Sequence, residues 1–247
     1  LLFALPTLGA NVLQSLNSSI NTVWVGNMLG ETALAATSNS GFVMFLTFAA
    51  MFGLSMATTI LIGQAMGRRD IEAARRTLGS SVGMVTLIGV VLAIIGWAAV
   101  GHLLRLLATP GGALPQAIVY SRVMFLSLPS VFLTLLLTSA LRGVGDAVTP
   151  LRAMILNVLL DAGLNPFFIA GIGPFPKLGI EGSAVATLIA GIVSLGYLLF
   201  YIYRKDLAIR LRGAELRFLK PDPALIATVV KLGIPMGLTM IVMSGGM

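Results

Sequence analysis

Residues 156–168 read LNVLLDAGLNPFF, placing one acid, two amides and a proline in an otherwise apolar stretch. Asp161 lies four residues after Asn157 and four before Asn165, so on a helix the three share one face. A carboxylate among amides can hold a small cation through oxygen ligands. Withdrawn from water, it can instead carry a proton. Pro166 has no N–H and leaves the carbonyl near residue 162 without its helical donor, which adds a backbone oxygen. Matching polar residues recur in two other apolar stretches. Gln14, Asn17 and Asn21 follow an i, i+3, i+7 stripe, and Ser183 and Thr187 are four apart.

The surroundings decide what this cluster means. The chain has 247 residues, 57% of them apolar and only 10% charged. A soluble domain has about 25% charged residues. The mean hydropathy is +0.98. Long apolar runs recur at 1–27, 36–66, 78–104, 117–141, 149–171 and 180–203, and another begins at 224. A bilayer crossing needs roughly 20 apolar residues. These runs therefore predict membrane-spanning helices, because a backbone in lipid must satisfy its own hydrogen bonds. A membrane β-barrel would show short alternating segments instead. The expected fold class is an all-α polytopic membrane helix bundle, with six helices in one lobe and the start of a seventh. The chain is expected to be a segment of a longer protein.

Charge sets the expected orientation. Arg68, Arg69, Arg75 and Arg76 follow the second run, Arg142 and Arg152 flank the turn after the fourth, and a basic stretch from Arg204 to Lys231 follows the sixth. The other connections hold Arg105, Arg122 and Lys177. The positive-inside rule puts the basic connections and the N-terminus in the cytoplasm. The net charge of +7 is thus spread between apolar runs and is not a nucleic-acid surface. Thr149 and Pro150 read as N-cap and first position of the fifth helix, and residues 171–174 as its end. The stretch 207–220 is amphipathic and is expected at the cytoplasmic interface, near anionic headgroups. Cysteine is absent, so there is no disulfide framework.

Eight of the nine acidic residues lie in or near connections; Asp161 alone lies deep in a span. An ionised carboxylate there costs about 2.5–3.5 kcal/mol on insertion scales, so it marks function. Asn, Ser and Thr are weaker markers, since they also join helices together. His102 stands alone near a membrane end, without a partner for metal or catalysis. An intramembrane enzyme would need paired acids, a Ser–His pair or a His/Glu cluster, and the sequence has none. A passive channel remains open on the single acid. The start of the chain, ALPTLG, is echoed late by GIPMGL, with Pro6 opposite Pro235. That echo across an even number of spans suggests a parallel repeat, and with it alternating access.

The stretches LPTLGANVLQSLNSSINTVWVG (5–26), GQAMGRRDIEAARR (63–76), SALRGVGDAVTP (139–150), LDAGLNPFFIAG (160–171) and GIEGSAVAT (179–187) together resemble the N-terminal half of a multidrug and toxic compound extrusion (MATE) transporter, DinF-like branch. The resemblance covers essentially the whole chain. It implies twelve helices in two six-helix lobes: a first lobe over 1–203, a cytoplasmic linker over 204–223 and the start of the second lobe over 224–247. It implies a multi-pass protein of the inner (plasma) membrane, not an enzyme. Its action would be export of small organic, often cationic, compounds in exchange for H+ or Na+. No cofactor is implied beyond that coupling ion, and no partner beyond substrate and membrane lipid; the full-length protein is expected to be monomeric. The coupling residues implied are Asp161, Asn165, Asn21 and Thr187, which would also be the ligands of a Na+ ion. Gln14 and Asn17 match cavity-facing positions, and Asn157 and Ser183 are placed with them in the substrate cavity. Two departures stand out. Asn21 replaces the usual acid of the first helix, and the Asn-then-Asp order of the fifth is reversed as Asp161 then Asn165. One carboxylate still suffices for one proton or one Na+. The alternative is a flippase of the same superfamily for lipid-linked saccharides, whose cavity would carry cationic residues for pyrophosphate.

Overall fold

The computed structural model describes residues 4–107, 109, 111–171 and 177–245. Residues 1–3 of the first run, 172–174 of the expected turn and 246–247 lie outside them. Helices form where the apolar runs predict: α1 (Ala4–Leu29), α2 (Glu31–Gly67), α3 (Ile71–Leu106), α4 (Leu114–Gly143), α5 (Val148–Ala170), α6 (Ile180–Arg204) and α7 (Pro223–Gly245). A 3₁₀ turn, Gly213–Leu219, interrupts the connection between α6 and α7.

Among the described residues, five stretches are long and apolar enough to cross a bilayer: Thr47–Gly67 within α2, and all of α3, α4, α5 and α6. α1 is long enough, with 26 residues, but Gln14, Asn17, Asn21 and their serine neighbours lower its hydropathy. α3 has 36 residues, about 54 Å at 1.5 Å per residue. That exceeds the hydrocarbon core of about 30 Å, so α3 projects beyond it.

α4 is central and packs against α2, α3 and α6, while α1 packs mainly on α5, and α5 on α6. One apolar core lies among α2, α3 and α4 around Met51, Val85, Leu128, Phe132 and Leu136. A second lies towards the basic connections, around Ile62, Leu78, Leu141, Leu198 and Ile209. Leu87, Val91, Ile94 and Ile95 of α3 and Ile192, Val193 and Phe200 of α6 face outward, as lipid-facing residues should. α5 and α6 approach at Gly182, where an added Cβ would sit 2.4 Å from the Phe168 carbonyl oxygen. This contact draws the polar faces of the two helices together.

Hydroxyl pairs tie the other helices. Ser121 Oγ of α4 donates to Ser40 Oγ of α2 at 2.7 Å, and Ser40 Oγ donates to the Ala36 carbonyl at 2.7 Å. Thr58 of α2 and Ser81 of α3 meet at 3.2 Å.

Two local details differ from the sequence reading, and a third adds to it. α5 starts at Val148, one residue ahead of the expected cap. Asp146, not Thr149, caps it, accepting from the Val148 and Thr149 N–H groups and the Thr149 hydroxyl. A carboxylate makes stronger bonds to free helix N–H groups than a hydroxyl does. Arg122 lies within α4 and not in the preceding connection; its exposed guanidinium sits 4.8 Å over the Trp97 ring. Such cation–aromatic pairs suit a membrane–water boundary. The stretch 207–220 packs onto α3, burying Ile209 and placing Arg75 against Glu215 at 2.7 Å. The Glu215 carboxyl is held below the usual carboxylate range by the Arg212 backbone N–H first and by Arg75 second.

Candidate functional site

Three helices each contribute a pair of polar residues four apart: Asn17 and Asn21 from α1, Asp161 and Asn165 from α5, Ser183 and Thr187 from α6. Spacing by four puts each pair on one helix face, and the three faces converge. Asp161 is 1% exposed, and Asn165 and Ser183 are equally buried. Neither α1 nor α5 is interrupted, and α5 runs through Pro166 to Ala170. Continuous helices therefore carry the cluster.

The Asp161 carboxylate is the hub. Asn21 Nδ2 donates to Oδ2 at 2.8 Å, and Thr187 Oγ1 donates to Oδ1 at 2.9 Å. Asn165 Nδ2 donates to Oδ1 at 3.2 Å, and the Asn17 side chain lies within electrostatic reach of the same carboxyl. The Asn165 amide nitrogen also faces the Asp161 carbonyl and Asn21 Oδ1, both at 2.8 Å. All its neighbours are acceptors, which fixes the amide with nitrogen inward. Its own Oδ1 is then buried without a donor, and so is Asn17 Oδ1. Buried acceptors of this kind are open to a bound water or cation. The Ser183 carbonyl accepts from Thr187 at 3.2 Å and so steadies that hydroxyl.

No Lys or Arg pairs with Asp161 among the described residues; the ion pairs lie at Arg75, Arg76, Arg210 and Arg212. Neutral dipoles alone surround the charge. An ionised carboxylate in low dielectric needs a proton or a cation for full compensation. One carboxylate matches one monovalent charge. No cluster of three His, Cys, Asp or Glu stands ready for a divalent metal among the described residues.

The four expected coupling residues, Asp161, Asn165, Asn21 and Thr187, thus come together. The residues assigned to a substrate cavity divide. Asn17 joins the carboxyl cluster and Ser183 supports it, whereas Gln14 is exposed on α1 and Asn157 is half-buried, and neither bonds the carboxyl in the described network. The neighbouring Ser19 and Thr22 hydroxyls bond their own helix at the Ser15 and Ser18 carbonyls. Tyr120 of α4 lies within electrostatic reach of Asp161. Nothing in its apolar sequence context marks it.

Comparison with known proteins decides the family. The MatE family model matches residues 6–167. The chain belongs to the MATE transporter family. It is 36% identical over 243 residues to the probable multidrug resistance protein YoeA of Bacillus subtilis (strain 168), covering 98% of this chain and 52% of that protein. The chain therefore spans about half the length of this relative. Among solved structures it resembles an outward-facing multidrug resistance MATE transporter, with TM-score 0.87, 27% identity and coverage of 98% and 52%. It also resembles an inward-facing one, with TM-score 0.82, 28% identity and coverage of 94% and 51%. The helical fold of the described residues agrees with membership, and MATE proteins are transporters, not enzymes.

Proposed function

We propose that this chain is the ion-coupling lobe of a secondary antiporter. The full-length protein exports small organic compounds across the plasma membrane by alternating access, and Asp161 exchanges H+ or Na+ as it does so. The observation that carries this reading is a fully buried carboxylate caged by neutral donors from three helices, with two amide oxygens left unpartnered beside it. A cation or proton arriving at Asp161 changes the charge at the junction of α1, α5 and α6. Asn21 and Thr187, donors to the bare carboxylate, then lose part of their attraction to it, and the fit of α1 against α5 and α6 changes. Binding is thereby tied to helix position, as coupling requires. Asn165 and Asn17 offer their free oxygens as further ligands when the ion is Na+.

In this reading residues 1–203 form the first lobe, 204–223 a cytoplasmic linker and 224–247 the start of the second lobe, with the basic connections on the cytoplasmic side. The similarity to YoeA, a probable multidrug resistance protein, supports the substrate class. The test is efflux of an organic cation dye from proteoliposomes holding the full-length protein under imposed H+ or Na+ gradients. Asp161→Asn should abolish the gradient-driven component while leaving passive leak unchanged. Efflux with the native gradient dependence in Asp161→Asn would overturn the reading.

A further inference from the structure

The connection between α6 and α7 does not hang free. It lies in a groove of α3 made by Gly79 and Gly83, four apart on one face. An added Cβ on Gly79 would sit 2.7 Å from Phe218 Cβ, and one on Gly83 would sit 2.0 Å from the Leu219 carbonyl oxygen. Polar contacts flank the groove. Arg75 Nε donates to the Ala208 carbonyl at 2.7 Å, and its guanidinium reaches Glu215 at 2.7 Å. The last contact is at Asp222, where the connection becomes a helix. Its backbone N–H donates to Ser80 Oγ at 2.9 Å, and Oδ2 accepts from Arg76 at 3.3 Å. Its Oδ1 accepts from the Ala224 N–H at 3.0 Å, and its carbonyl accepts from the Ile226 N–H, so the same residue starts α7. Ser80 is buried, with 2% exposure.

Higher up, α7 meets α2 by a different kind of contact. A Cβ on Gly53 would lie 2.2 Å from the Gly233 carbonyl oxygen and 2.7 Å from the Gly237 nitrogen. This seam is bare backbone against bare backbone. Its closeness depends on shape, whereas the lower end of α7 is held by directional bonds at one residue.

We propose that Asp222 pins the first turn of α7 to α3, so that this end of α7 stays with the first six helices while its far end parts from α2. Asp222, Ser80 and Arg76 are then positioning residues that set the fulcrum for whatever follows α7. The connection over 208–222 moves as part of α3, and the boundary between moving bodies falls inside α7. The stimulus for the movement rests on the proposed ion exchange.

The test is distance measurement by double electron–electron resonance in the full-length protein. One spin-label pair spans the pin at Ile71 and Ala227, both exposed; the other spans the far end at Ile95 and Leu238, also exposed. Changing pH or Na+ should shift the Ile95–Leu238 distance while the Ile71–Ala227 pair keeps a single narrow peak. The Ser80→Ala, Asp222→Asn double variant keeps a helix-capping side chain and should lose that narrow peak, whereas Arg76→Lys should retain it. An Ile71–Ala227 distance that shifts with the far pair, a far pair that never shifts, or a double variant with the native peak would overturn the pin. Flux measured on the same samples separates failure of the exchange from failure of the pin.

Discussion

Two of the buried polar junctions in this bundle are built on opposite terms. Between α2 and α4, Ser40 and Ser121 pair hydroxyl to hydroxyl, and the last proton goes to the Ala36 carbonyl. Every group has its partner, and none is charged. Between α1, α5 and α6, a carboxylate sits among donors that belong to three helices, and two amide oxygens have none. The first junction fastens helices in the way interhelical hydroxyls do, at about 0.6 kcal/mol per pair. The second leaves a charge and acceptor oxygens uncompensated, a cost retained only where something else supplies the positive partner. Polarity inside a membrane bundle therefore does not by itself mark a site. Incomplete satisfaction around a charge does.

Substitutions can break this contrast. The largest effect, after removal of the Asp161 charge itself, is expected from Asn165→Ala, which deletes the nitrogen that binds Asp161 and Asn21 together. A hydrogen bond to a charged group is worth about 1.5–3 kcal/mol. The bare carboxylate loses that stabilisation, so the proton concentration for half-maximal efflux should fall by roughly tenfold or more, as read in proteoliposomes with the full-length protein. A smaller effect is expected at the satisfied junction. Ser40→Ala should lower stability by about 1 kcal/mol, and adding Ser121→Ala should cost less than a second such loss, because the pair shares one bond. Thermal unfolding of the four proteins of the cycle in detergent measures this. Transport by all four should match the native protein. A shift in that concentration as large as the one in Asn165→Ala would erase the distinction between the junctions.

Much of this was legible in the residues themselves. Long apolar runs and arginine placement give the helices and their order, because lipid leaves the backbone few alternatives. The charge of Asp161 stands out for the same reason, and spacing by four brings Asn165 to its face and sets Asn21 and Thr187 on theirs. Other features depended on packing that no local pattern encodes. Asn17 and Gln14 share a stripe in the sequence, yet the fit of α1 against α5 brings Asn17 to the carboxyl and leaves Gln14 exposed. The connection over 207–220 reads as an interfacial amphipathic stretch. Its docking on α3 depends on Gly79 and Gly83, whose role appears only when the opposing backbone is in place. Tyr120 comes within electrostatic reach of Asp161 from a helix whose sequence gives it no distinction.

The central claim is that the Asp161 cage holds an exchangeable positive charge, and direct cation binding tests it most simply. Sodium titration by calorimetry and proton titration by potentiometry, on purified full-length native protein and its Asp161→Asn variant, measure that charge without any transport cycle. The account predicts a saturable site for H+ or Na+ in the native protein that is missing from the variant. Equal binding by the two proteins would contradict it.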